Sequence, residues 1–149
     1  MTPLHPRVIS LRDARLIDVL GSQTRVRLGA EDTGGAFALF EVNDIEGVGV
    51  PRHTHTHEDE TFHVISGVVQ LKVGEDEFMA GPDTTVFGPR GVPHSWIVEH
   101  GPAKMLIHTA PAALEQMFDE LGELPMPPDI AKVAGICARY GITIETSIG

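Results

Sequence analysis

The chain is poor in several things, and each shortage narrows what it can be. Its 149 residues include one cysteine, Cys137, which excludes an intramolecular disulfide framework and any zinc module built on four cysteines. That suits a reducing cytoplasm. Cations are few: 11 Lys and Arg stand against 21 Asp and Glu, a formal net charge of -10, which repels phosphate backbones and anionic headgroups. No nucleic acid and no membrane partner is expected. Long apolar runs are missing too. Stretches such as Met105 to Leu114 fall far short of the roughly 18 residues that begin to suggest a membrane-spanning helix. The first 23 residues are broken by Pro3, Pro6, Arg7, Arg12, Asp13 and Arg15, which leaves no apolar signal-peptide region. A soluble, unexported protein is expected. What is present is 42% hydrophobic and 21% charged, enough for a packed core and against global disorder. The length fits one domain over residues 1–149.

From about residue 24 to residue 110 the chain reads as short runs rich in Val, Ile, Thr and Phe: Phe37 to Val42, Thr61 to Ile65, Val68 to Val73, Thr84 to Phe87, Ser95 to Val98 and Met105 to His108. Turn signals separate them, among them Ser66-Gly67, Gly81-Pro82-Asp83 and Gly101-Pro102. Many short strands with regular turns predict an all-β sandwich or barrel. Over residues 111–141 the period changes. Leu114, Met117, Phe118 and Leu121 fall at helical spacing before Gly122, and Ile130, Val133, Ala134 and Cys137 form a second apolar face between Asp129 as cap and Gly141 as stop. Two helices are expected against the barrel or across a subunit interface, with Ile142 to Ile144 as a candidate edge strand.

Three of the eight histidines crowd into Arg52-His53-Thr54-His55-Thr56-His57, followed by Glu58, Asp59 and Glu60. Strand alternation puts His53 and His55 on one face. A hairpin would bring Glu60 back toward them, with Phe62 and Val64 on the same inward side. His94, after the rigid Pro89-Arg90-Gly91-Val92-Pro93 segment, is the candidate fourth ligand. Three imidazoles and one carboxylate suit a divalent ion such as Fe, Mn, Ni, Co or Zn and leave positions open for substrate. The competing reading is a polar surface loop that binds no metal.

Gly47, five residues, His53-Thr54-His55, four residues, Glu60, six residues, Gly67 resembles the first motif of the cupin superfamily at every defined position. Pro89 to His94 resembles part of the second. Asp83 stands where the family has Gly, with Gly81 two positions earlier, which predicts a turn two residues longer; Val98 replaces the final Asn. The resemblance implies a jelly-roll barrel with His53, His55, Glu60 and His94 as ligands. It also implies a dimer, and the chain looks similar to small single-domain cupins called quercetin-dioxygenase-like.

The remaining candidates divide as follows. Phe62 is a cavity wall by alternation, and Trp96 shares the parity of His94, so both are substrate-pocket candidates. His57 is read as exposed or hydrogen-bonding beside the ligands, and His63 as packed or exposed. His5, His100 and His108 have no constellation around them, and Cys137 reads as a small buried hydrophobe. The leading function is a metal-dependent dioxygenase acting on a small oxygen-rich organic substrate, with Glu60 as ligand and general base. The alternatives are a non-redox isomerase, lyase or decarboxylase on the same ligands, and a module that binds a metabolite without turning it over. A homodimer is expected.

Overall fold

The computed structural model describes residues 3–145. In chain order these form β1 (Arg15–Val19), β2 (Ser22–Leu28), α1 (Ala30–Thr33), β3 (Ala38–Asp44), β4 (Gly49–His55), β5 (Asp59–Val73), β6 (Asp76–Ala80), β7 (Thr84–Gly88), β8 (His94–Ala110), α2 (Glu115–Gly122), α3 (Ile130–Arg139) and β9 (Ile142–Ile144). Every strand pairing is antiparallel. The β-region therefore begins at Arg15, earlier than residue 24. The expected edge strand at Ile142 to Ile144 is present.

Two long strands organise the molecule. The first half of β5 (Glu60 to Val64) pairs with β7 and with the second half of β8, which continues to β3, β2 and β1. The second half of β5 (Val69 to Val73) pairs with β6 and with the first half of β8, which continues to β4 and β9. One curled sheet thus folds over on itself, as a jelly roll does.

The fold-over lies where the sequence predicts two turns. Ser66-Gly67 and Gly101-Pro102 do not end strands; they lie within β5 and β8, where the register between the two shifts three times from Val64 to Val69. Across this stretch the set of side chains that face inward changes parity in both strands. In β5 the buried set runs Glu60, Phe62, Val64 and then Val69, Leu71, Val73; in β8 it runs His94, Trp96, Val98 and then Ala103, Met105, Ile107, Thr109. A turn and a bend carry the same Gly and Pro signals, and only pairing tells them apart.

The turn before β7 also differs from expectation. It is no longer than Gly81 to Asp83, and Asp83 itself takes the left-handed conformation, φ 63°. Asp tolerates that region through its short polar side chain, so it replaces glycine without an inserted residue.

Phe40, Phe62, Leu71 and Met105 are almost fully buried in the core, each contributing about 1.5–3 kcal/mol of hydrophobic stabilisation. Leu114, Met117 and Leu121 are buried as their spacing predicts, and α2 lies on β1. Asp129 caps α3 by accepting from the Ala131 and Lys132 amides. Val133 and Cys137 are buried, whereas Ile130 is 65% exposed, because the first residue of the helix lies beyond the contact with β9. Glu120 joins the helices by accepting from Arg139 and from the Tyr140 hydroxyl. Among the described residues, no helix is long and apolar enough to cross a membrane.

Candidate metal centre

Pairing, not proximity in sequence, assembles the four ligand candidates. β4 lies between β8 and β9, and His53 is directly opposite His94, so a cross-strand pair supplies two imidazoles with ring centroids 4.4 Å apart. His55 follows two residues later on the same face. The register of β4 shifts between Val50 and His53, at Pro51, where a residue without an N–H does least harm to the ladder.

Glu60 arrives differently from the expected hairpin. β4 and β5 do not pair with each other; Glu60 is opposite Gly88 and Thr109. The segment 56–58 crosses from one half of the sheet to the other, so the carboxylate meets the imidazoles across the interior. Glu60 Oε2 lies 2.7 Å from His94 Nε2 and 3.2 Å from His55 Nε2, and His53 Nε2 lies 3.1 Å from His55 Nε2. One donor atom from each of the four residues falls within 4.8 Å of all the others.

The proton arrangement suits a cation. His53 Nδ1 faces the Pro51 carbonyl at 2.8 Å, and His94 Nδ1 faces the Val92 carbonyl at 3.2 Å. A carbonyl only accepts, so both Nδ1 atoms carry a proton, which leaves Nε2 as the atom of each ring able to offer a lone pair to a cation. The Glu60 carboxylate lies among these nitrogens, at hydrogen-bond distance from His94 Nε2. Burial and the neighbouring His94 lower the pKa of His53 to about 4, which keeps it neutral. For His55, burial alone would act downward, but the Glu58 and Glu60 carboxylates outweigh it and hold the pKa up at about 9. Glu60 is likewise pushed up by burial and drawn further down by His55 and His94, to well below the usual carboxylate range. The spot favours positive charge, and three nitrogens with one oxygen is a donor set for a first-row divalent ion.

The other candidates fall around this cluster. Phe62 presents its ring edge to His94, centroids 5.7 Å apart. Trp96 is buried two residues along β8 and also borders a recess of about 360 Å³ on the outer face of the sheet, beside Ser95 and Arg52. His57 is exposed beside Gly141 and is not part of the cluster. His63 points away from it and pairs with Thr85 Oγ1 at 2.7 Å. Cys137 is buried, with its thiol pKa pushed up by burial.

Two features escaped the sequence reading. Glu58 is 1% exposed and its carboxylate lies 3.5 Å from His55 Nδ1. It shares strand parity with Glu60, and that parity was the available signal. The Thr109 hydroxyl, on the residue opposite Glu60, is buried without a protein partner.

Residues 40–109 match the cupin domain family. No curated protein matches the chain in sequence. Among solved structures, KdgF from Halomonas sp. is similar with TM-score 0.68 at 14% identity, over 76% of this chain and 99% of that one. The polyketide cyclase RemF from Streptomyces resistomycificus has TM-score 0.63 at 21% identity, over 73% and 81%. Pac13, a nucleoside dehydratase from Streptomyces, has TM-score 0.62 at 15% identity, over 75% and 88%. At these identities the likeness is one of fold.

Proposed function

Because the chain is a small member of the cupin superfamily, we propose that it is a metal-dependent enzyme acting on a small, oxygen-rich organic molecule. The observation that carries this is the convergence of three imidazole nitrogens and one carboxylate in a largely buried setting. His53, His55, Glu60 and His94 would hold the ion. A bound divalent ion would polarise a substrate oxygen and lower its pKa, and a redox-active one would add electron transfer with dioxygen.

The chain's own residues set the substrate class. No Lys or Arg is among the buried side chains of the described residues, so the positive charge offered to a substrate oxygen there would be the ion's. Phe62, beside His94, and Trp96 are proposed as apolar walls. The unpartnered Thr109 hydroxyl is free to bond a substrate oxygen. Glu60, held ionised by two imidazoles, is a ligand first. It becomes a general base for a substrate hydroxyl only when it leaves its 2.7 Å contact with His94.

Dioxygenation of a chelating enol or diketone is the first reading of the reaction. Non-redox chemistry on the same ligands is the second, favoured by the cyclase and the dehydratase that share the fold. Oxygen uptake with flavonols and diketones, compared with turnover under argon across Fe-, Mn-, Co-, Ni- and Zn-loaded protein, separates the two. Binding without product under every metal would leave a non-catalytic module. We further propose a homodimer, supported by exposed Leu4, Val8 and Leu16 near the first strand; a clean monomer in sedimentation would rule it out.

A further inference from the structure

Each imidazole of the cluster is backed at Nδ1 by an oxygen, and one of the three differs in kind. His53 and His94 each turn Nδ1 toward the carbonyl two residues earlier, Pro51 and Val92. His55 has no such carbonyl partner. The oxygen facing its Nδ1 belongs to the Glu58 carboxylate, 3.5 Å away. Glu58 is buried, neither of its oxygens has a hydrogen-bond partner, and it is not one of the four clustered residues. Isolating a carboxylate from water without a partner is strongly unfavourable.

We propose that Glu58 is a positioning residue of the metal centre: its carboxylate accepts a hydrogen bond from the His55 Nδ1–H, which fixes the tautomer that turns Nε2 inward and holds the ring in place. The inference rests on the metal-centre reading above. A histidine ligand is held this way when a carboxylate or carbonyl behind it accepts its second N–H. At 3.5 Å the pair needs a shift of less than about 1 Å to reach charge-assisted hydrogen-bond length. The side chain stays close because Glu58 is three residues from His55 and immediately precedes β5. A carbonyl fixes a tautomer without charge, whereas a carboxylate also makes the imidazole a stronger donor to the ion.

The test uses the full chain stripped of metal, with Co²⁺ as probe, its affinity read by competition with a chromophoric chelator and its environment by visible absorption. Wild type should take up one equivalent. Glu58→Leu should bind about 10–100-fold more weakly with an altered cobalt spectrum, and Glu58→Gln, whose carbonyl still accepts, should lose less. In a His55→Ala background, Glu58→Leu should add no further loss, because the residue acts through His55. Glu58→Leu binding cobalt within twofold of wild type would overturn the proposal, as would an equal loss in the His55→Ala background. Circular-dichroism melts show whether each variant folds; if Glu58→Leu does not, Glu58→Gln alone and in the His55→Ala background decides. Wild type taking up no cobalt is a different failure: it sinks the metal-centre reading itself, and the role of Glu58 with it.

Discussion

Arg90 grips Asp59 through three donors: its backbone N–H and Nε reach Oδ1 at 2.9 and 3.1 Å, and a terminal guanidinium nitrogen reaches Oδ2 at 3.0 Å. Asp59 immediately precedes Glu60, and Arg90 lies in the loop that ends at His94. The Gly91 amide of that loop also donates to the His55 carbonyl at 2.8 Å. Segments carrying three of the four ligand candidates are therefore tied together by contacts that use no ligand side chain.

Arg90→Ala should weaken metal binding more than it weakens the fold. The pair is partly exposed, so screening limits its contribution to stability, while looser ligand segments lose preorganisation. A several-fold drop in Co²⁺ affinity with a small change in Tm is the expected pattern. Unchanged affinity would mean that the loop is held by the Gly91 contact alone.

The same clamp has a pH signature. Hydrogen bonds from Arg90 hold the Asp59 carboxyl below its usual 3.8. A folded pKa below the unfolded one gives stability that is fully present above the unfolded value and is lost as pH falls through the folded one. The Tm gap between wild type and Asp59→Asn should thus be flat at neutral pH and shrink below pH 3.8. A gap that widens on acidification would contradict the clamp.

The acidic run Glu58-Asp59-Glu60 shows what was legible in the sequence. Alternation and motif spacing identified Glu60, and the structure brings it to His53, His55 and His94. The members of the run separate: Glu58 goes inward to His55, Asp59 outward to Arg90, and Glu60 into the cluster; parity sorts Asp59 from the other two but names none of these partners. That division depends on where β5 begins and which strand it joins. Pairing is non-local, so the hairpin expected between β4 and β5 is absent although the four candidate residues come together. Helix faces, set within a few residues, were easier, and only Ile130 at a helix start departed from its expected side.

Gly67 marks the bend in β5 and should resist substitution. Its φ is +78°, and an added Cβ would lie 2.7 Å from Ala103 Cα and from the Pro102 carbonyl oxygen. Gly to Ala at compatible positions stabilises by about 0.4–1 kcal/mol; here the left-handed conformation alone costs about 1–3 kcal/mol. Gly67→Ala should be destabilised in urea unfolding, and a neutral result would show that the two strands can part at this point.

The strand β9 supports the ligand strand from its far side. Ile142 is opposite His55 and Ile144 opposite His53, and Ile142 is 3% exposed. Ile142→Ala should cost about 2–5 kcal/mol and weaken Co²⁺ binding in the same variant. Full metal affinity in a destabilised Ile142→Ala protein would show that β4 keeps its register without this cover.

Metal removal gives the most direct reading of the cluster. The imidazole nitrogens of His53, His55 and His94 and the Glu60 carboxylate converge only in the folded chain, so a cation held by them binds that state alone. A ligand bound only by the folded state adds RT ln(1 + [L]/Kd), about 2.7 kcal/mol at a hundredfold excess over Kd. Chelation should lower Tm by several degrees, and restored metal should recover it in a concentration-dependent way. His94→Ala should abolish the metal-dependent part of the shift, because His94 makes the 2.7 Å contact with Glu60 and is opposite His53. A shift that survives His94→Ala at full size would place the ion elsewhere, among the surface carboxylates of this acidic chain.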